Sequence, residues 1–203
     1  MNQRAMMKPL ALILSAIASL ALGGCDPVTS PPAGDPPLAG AKIGGPFTLS
    51  DKHGKMVHWD QFKGQYRIVY FGYTFCPDAC PTDVGVIMRG YNIYAKNHQS
   101  LAGQIQPLFI TIDPARDIPA VVGEFAAAFS PRLMGLTGTP QQIADVTKSF
   151  GTYYAKGKQS SGGYLMDHSR NSFLMGRDGE PIALLPVDQG PQAVADELAY
   201  WVR

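Results

Sequence analysis

Two cysteines, Cys76 and Cys80, stand in the stretch GYTFCPDACPTD (residues 72–83), with three residues between them and a proline after each. Two thiols at this spacing can cycle between dithiol and disulfide, hold a soft cation between two thiolates, or lock a small loop. The last is the weakest use, because a cross-link closing so short a loop removes little chain entropy. The thiolate is both the redox nucleophile and the metal ligand, so sulfur chemistry alone does not choose between the other two. Two thiolates suit Cu(I) or Zn(II), and an imidazole commonly completes such a set. The chain has four histidines. His53 lies in a DKHGK turn, His58 on the strand after it and His98 at a helix end, and all three read as solvated residues. His168, in MDHSRN, reads by itself as a hydrogen-bonded loop residue.

The elements around the dithiol place it. PFTLSDKHGKMVHWDQFKG, from Pro46, alternates around its turn and predicts a β-hairpin. YRIVYFGY (residues 66–73) is a β-branched and aromatic run suited to a buried central strand. After the cysteines, Val84, Ile87, Met88, Tyr91 and Tyr94 recur at helical spacing. IQPLFITID and RLMGLTG read as further strands and IPAVVGEFAAAF as a helix between them. In TPQQIADVTKSFG, Thr139 is the expected N-cap, Pro140 the first helical residue and Gly151 the residue past the end. GGYLMDHSRNSFLMGRDGEPIALL predicts an antiparallel hairpin around GRDGE. QAVADELAYWVR predicts a closing amphipathic helix with Val194, Leu198 and Trp201 inward. The order ββ-β-α-β-α-β-α-β-β-α is an α/β, thioredoxin-like layout: a central mixed sheet flanked by helices, with an N-terminal β-hairpin extension and a helix–strand insertion. The cysteines then fall where the first core strand meets its helix, and free N–H groups and the dipole at a helix N-terminus favour thiolates.

The N-terminus reads as a targeting segment. Arg4 and Lys8 precede PLALILSAIASLALGG, an apolar and small-residue run short of the roughly 20 residues of a comfortable membrane span. Its ending, LALGGC, resembles a bacterial lipobox. That resemblance implies a lipoprotein signal peptide over residues 1–24 and a lipid on Cys25, followed by a Pro/Gly/Ala-rich linker over residues 25–45 and a domain over residues 46–203. Asp26 resembles an inner-membrane retention signal. The implied location is the bacterial cell envelope, lipid-anchored to the outer (periplasmic) face of the inner membrane. With Cys25 so used, two cysteines remain in a compartment that permits disulfides. The chain is 45% apolar and 16% charged with net charge +1. Without a basic excess, nucleic-acid binding through phosphate neutralisation is not expected.

Three segments carry a more specific resemblance. YFGYTFCPDACPTDV, ITIDPARDIP and YLMDHSRNSFLMGRDG, in this order, resemble the signature segments of the Sco family, membrane-anchored thioredoxin-like copper proteins of cytochrome c oxidase assembly. The resemblance runs from about Pro46 to the C-terminus. It implies a copper site made by Cys76 and Cys80 of the C-P-x-x-C-P motif and by His168 of the DHS segment. Thioredoxin-like redoxins commonly hold a cis-proline beside the cysteine turn, and this chain has MDHSRN there, with no proline. By the same resemblance Asp113 and Asp117 lie near the cysteine loop, where turn and cap chemistry around Pro114 is an equal reading. Asp78, between the cysteines, is a candidate for tuning the thiolates, and Asp167 for orienting His168.

The resulting expectation is a metallochaperone carrying one copper ion per domain, as Cu(I) with Cu(II) as a second state. It would deliver copper to subunit II of cytochrome c oxidase, with loading coupled to a Cys76–Cys80 redox disulfide. It requires a copper donor and a thiol reductant, neither identified by the sequence. Enzymatic activity is left open. Two alternatives stand: a thiol–disulfide reductase acting on cysteines of the same oxidase subunit, and a redox or copper sensor. No T-x-x-C peroxidatic motif is present, since Tyr73 and Pro77 stand three residues before Cys76 and Cys80.

Overall fold

A computed structural model describes residues 34–158 and 163–203. An N-terminal hairpin pairs β1 (Thr48–Ser50) with β2 (Met56–His58), antiparallel. Asp51 builds its turn by accepting the N–H groups of His53 and Lys55. The hairpin is tied to the main sheet by an antiparallel bridge from Ser50 to Thr137.

The main sheet has five strands. The first in sequence, β3 (Tyr66–Gly72), is buried along its whole length, as a β-branched and aromatic run covered on both faces must be. It leads to α1 (Ala79–Asn97), a short helical turn α2 (Gln99–Ala102) and β4 (Ile105–Thr111). Then come α3 (Pro119–Phe129), β5 (Met134–Leu136) and α4 (Pro140–Ser149). After the small strands β6 (Tyr154–Lys156) and β7 (Met166–His168), the chain closes with β8 (Ser172–Met175), β9 (Pro181–Leu184) and α5 (Pro191–Trp201). The strand order is β5-β4-β3-β8-β9. β3, β4 and β5 run parallel, and β8 and β9 are antiparallel additions on the other side of β3. This mixed sheet flanked by helices is the expected thioredoxin-like class.

Local signals explain the boundaries. The Thr139 hydroxyl accepts the N–H of Gln142, whose side-chain oxygen accepts the N–H of Thr139, a reciprocal cap with Pro140 in the first turn. Gly151 follows α4 at φ 61°, the left-handed conformation that ends helices. On α1, Val84, Ile87, Met88, Tyr91 and Tyr94 are all buried, as their spacing predicts. α1 also lies against α5 at Gly90, where a β-carbon would come within 2.6 Å of Val194.

Three expectations change. Folded contacts begin before Pro46, within residues 34–45. There, Leu38 N–H donates to the Ile182 carbonyl, Gly44 N–H donates to the Ser149 carbonyl, and Ile43 packs on the core. The second half of the Pro/Gly/Ala-rich segment is thus part of the folded surface. Next, β6 and β7 form a separate two-stranded antiparallel sheet, with Tyr154 opposite His168. His168 therefore ends a strand rather than sitting in a free loop. Finally, Trp201 is only partly buried.

Candidate metal centre

The parallel strands deliver their C-terminal ends to one edge of the sheet, and the cysteine loop sits there. β3 ends at Gly72, and Tyr73, Thr74 and Phe75 lead into Cys76. α1 begins at Ala79, so Cys80 belongs to its first turn. Cys76 is half-buried and Cys80 is fully buried, and both are free thiols. The Cys80 N–H donates to the Cys76 sulfur at 3.3 Å. Gly72 makes room for the second sulfur: a β-carbon there would stand 3.1 Å from Cys80 Sγ.

The imidazole of His168 arrives from β7. Its Nε2 lies 3.4 Å from Cys80 Sγ, and its Nδ1 lies 2.8 Å from the Ser169 carbonyl oxygen. A carbonyl only accepts, so Nδ1 carries the proton and Nε2 turns its lone pair to the sulfur. That is the tautomer a metal ligand needs. Tyr70 and Tyr73 meet the ring edge-on, with centroids at 6.4 and 6.0 Å. A thiolate at about 2.3 Å and an imidazole at about 2.0 Å from one ion, at a tetrahedral angle, are separated by about 3.5 Å. The Cys80–His168 pair matches that separation. Among the described residues, no three His, Cys, Asp or Glu side chains are already gathered at metal-binding spacing, so Cys76 would have to close on an ion held by the other two.

The two thiols differ electrostatically. Burial pushes the Cys80 thiol well above its ordinary range, with the Cys76 sulfur adding to the rise and the Tyr73 backbone opposing it. Burial also acts to raise Cys76. It is outweighed by the N–H groups of Cys80 and Asp78 and by the Cys80 thiol and Tyr73 hydroxyl, so the net shift is downward. Burial lowers the His168 pKa below 6.5, against the opposing Ser169 carbonyl and the Asp83 charge, so the ring is neutral at pH 7.

The acidic candidates take different places. Asp78 is exposed and makes no side-chain cap to α1, and its contribution to the thiolate comes through its backbone. Asp167 does not orient His168. It is exposed, one residue along β7 and so on the opposite face, and the Ser169 carbonyl is the Nδ1 acceptor. Asp113 is buried. It accepts Arg116 Nε at 2.5 Å and the Tyr164 hydroxyl at 2.8 Å, and the Arg116 guanidinium lies over Tyr164, Phe75 and Tyr73. Asp117, fully buried, accepts the Thr74 N–H, the Thr74 hydroxyl and the Thr111 hydroxyl. The ITIDPARD segment therefore braces the cysteine loop from below. Cys25 lies outside the described residues. His53 and His58 stay in the hairpin, His58 Nδ1 against the Thr48 hydroxyl at 2.9 Å, and His98 stacks on Tyr94.

One pair was not anticipated. Asp83, one helical turn after Cys80, accepts two hydrogen bonds from Arg170, two residues after His168. It also accepts the Tyr70 hydroxyl at 2.9 Å. An acid one turn beyond Cys80 and a cation two residues beyond His168 are visible in the quoted segments, but only the fold pairs positions 87 residues apart.

With this geometry in hand, comparison with known proteins gives a consistent result. The model of the SCO1/SenC family matches residues 35–203. An SCO2-like protein of Rickettsia felis is 37% identical over 172 residues, covering 80% of this chain and 82% of the relative. Among solved structures, Bradyrhizobium japonicum ScoI with copper bound is 37% identical with a TM-score of 0.71, covering 79% of this chain and 99% of that one. Yeast Sco1 with copper bound is 33% identical with a TM-score of 0.72, covering 79% of this chain and 88% of that one. The agreement of motif, fold and three separate comparisons places this chain in the SCO1/SenC, or Sco, family.

Proposed function

We propose that the protein is a copper-binding metallochaperone that holds one copper ion between Cys76, Cys80 and His168 and passes it to subunit II of a cytochrome c oxidase. The observation that carries this reading is the approach of His168 Nε2 to Cys80 Sγ at 3.4 Å, with Nδ1 committed to the Ser169 carbonyl. Two sulfurs and one neutral imidazole suit Cu(I), and the imidazole also suits Cu(II). Copper-bound relatives at 37% and 33% identity support the choice of metal.

Copper is cargo here, so the site must release it. Cys80 is fully buried, whereas Cys76 is partly exposed and is flanked by Phe75, which is 53% exposed. A partner's ligand would replace Cys76 first, and transfer proceeds by ligand exchange at that sulfur. Oxidation of the two thiols to a Cys76–Cys80 disulfide releases two protons and two electrons to an oxidant and removes both sulfur ligands together. A thiol reductant must then restore the site, and a copper donor must reload it. The lipobox resemblance around Cys25 supports attachment to the outer face of the inner membrane.

A second reading has its own support. An accessible Cys76 with a lowered pKa, backed by a buried Cys80, is the arrangement of an attacking and a resolving thiol. On that reading the protein reduces cysteines of the oxidase subunit. Anaerobic Cu(I) titration of the soluble domain decides between them. We expect one copper per domain and an affinity loss of about tenfold or more in His168→Ala. Equal affinities in the two proteins overturn the three-ligand site, and full disulfide-reducing activity of His168→Ala with full restoration of oxidase assembly favours the reductase.

A further inference from the structure

We infer that Asp83 and Arg170 form a positioning clasp that sets where the His168 ring stands relative to Cys80. The inference rests on the copper reading for its consequence and on geometry for its existence. Cys80 and His168 come from elements far apart in sequence, α1 and β7. Arg170 Nε donates to Asp83 Oδ2 at 2.8 Å and Nη2 donates to Oδ1 at 2.5 Å, a two-point fork that fixes angle as well as distance. Asp83 lies one turn along α1 from Cys80, and Arg170 lies two residues along the chain from His168. The clasp thus closes a ring: Cys80, α1, Asp83, Arg170, His168 and back to Cys80.

The surroundings make the pair more than a surface ion pair. The Asp83 side chain is 3% exposed, and its Oδ2 is shared with the hydroxyl of Tyr70, whose ring meets the His168 ring edge-on. A buried carboxylate must be paired, so Asp83 holds its partner strongly. The Arg170 side chain is 58% exposed and lies in the three-residue span between β7 and β8. Nothing in that span other than Arg170 reaches α1 through a side-chain hydrogen bond among the described residues. A second support of the span comes from Tyr153, the residue before β6, whose carbonyl accepts the Ser169 N–H and whose N–H donates to the Ser169 hydroxyl. Tyr153 sets the height of the turn, and the clasp sets its approach to the sulfurs.

A positioning role predicts that the clasp acts through His168 and not beside it. Arg170→Met should lower Cu(I) affinity about tenfold, the loss typical when a support of a metal ligand is removed. Arg170→Met combined with His168→Ala should bind no more weakly than His168→Ala alone. Independent, multiplying losses overturn the inference, as does an unchanged affinity in Arg170→Met. A metal-free readout keeps the clasp separable from the copper site. In the reduced apoprotein the His168 ring nitrogens should show a single Nδ1–H tautomer by NMR, and Arg170→Met should mix the tautomers. If His168→Ala binds copper as wild type does, the copper reading fails while the tautomer result still decides the clasp. An unchanged tautomer in Arg170→Met overturns it. Arg170→Lys, which keeps the charge but not the fork, should fall between wild type and Arg170→Met in both readouts. Should Arg170→Met not fold, the uncharged pair Asp83→Asn with Arg170→Gln carries the same test.

Discussion

The N–H groups of Cys80 and Asp78 converge on the Cys76 sulfur, while Cys80 is closed in by Gly72, Tyr70 and His168. These two environments divide the labour of the pair. Cys76 is held toward its thiolate and meets solvent, whereas Cys80 stays protonated until something replaces the lost hydration of its charge. A copper ion held there, as proposed, would do this directly. The division is testable without metal. Iodoacetamide should modify Cys76 of the reduced protein first, with a rate that rises with pH to a midpoint below 9.0, the ordinary thiol value. Alkylation of Cys80 in Cys76→Ser should be slower by about tenfold or more, because its thiolate fraction falls tenfold for each unit of upward shift. Peptide mapping by mass spectrometry reads both rates, and equal rates would show that the two sulfurs share one environment.

The elements show which parts of this site a sequence can reveal. β3 and α1 announce themselves through period and composition, and the junction between them places both cysteines. The cap at Thr139 is visible because its partners are three residues apart. β6 and β7 are not visible: unlike β1 and β2, which flank a DKHGK turn, they are separated by nine residues, and their pairing is set by the fold around them. His168 could therefore be assigned to the site only through the family segment, and the carbonyl that fixes its tautomer carries no side-chain signature at all. Asp117 is the converse case. Its residue type is visible, and its role follows from burial. It supports Thr74, two residues before Cys76, through both the N–H and the hydroxyl. Asp117→Ala leaves the Thr74 N–H and the Thr111 hydroxyl without that acceptor. Each such orphaned group costs about 1–3 kcal/mol. Urea denaturation of the reduced domain should show a loss of that order, accompanied by faster alkylation of Cys80 as the loop loosens. A midpoint unchanged from wild type would mean that the brace is dispensable.

At the scale of the whole molecule, the two ends of the sheet have different duties. The sulfurs stand at the end where β3 and β4 finish. The segment over residues 38–45 joins at the other end, where Gly44, at φ 89°, is within contact of Met175 and of the Gly179 carbonyl in the β8–β9 hairpin. A β-carbon at Gly44 would stand 2.6 Å from the terminal methyl of Met175, which would have to shift, and the positive φ itself favours glycine at this joint. Residues 38–45 thus join the hairpin end of the sheet, opposite the sulfurs. That polarity fits the proposed lipid on Cys25. Cys25→Ser, expressed in a bacterial host and fed a labelled fatty acid, should lose the label completely. The soluble domain carrying no residue before Pro32 should still bind Cu(I) with wild-type affinity, since the joint and the site lie at opposite ends. Label retained in Cys25→Ser would overturn the anchor, and weakened copper binding in the shortened domain would show that the tether segment reaches the site.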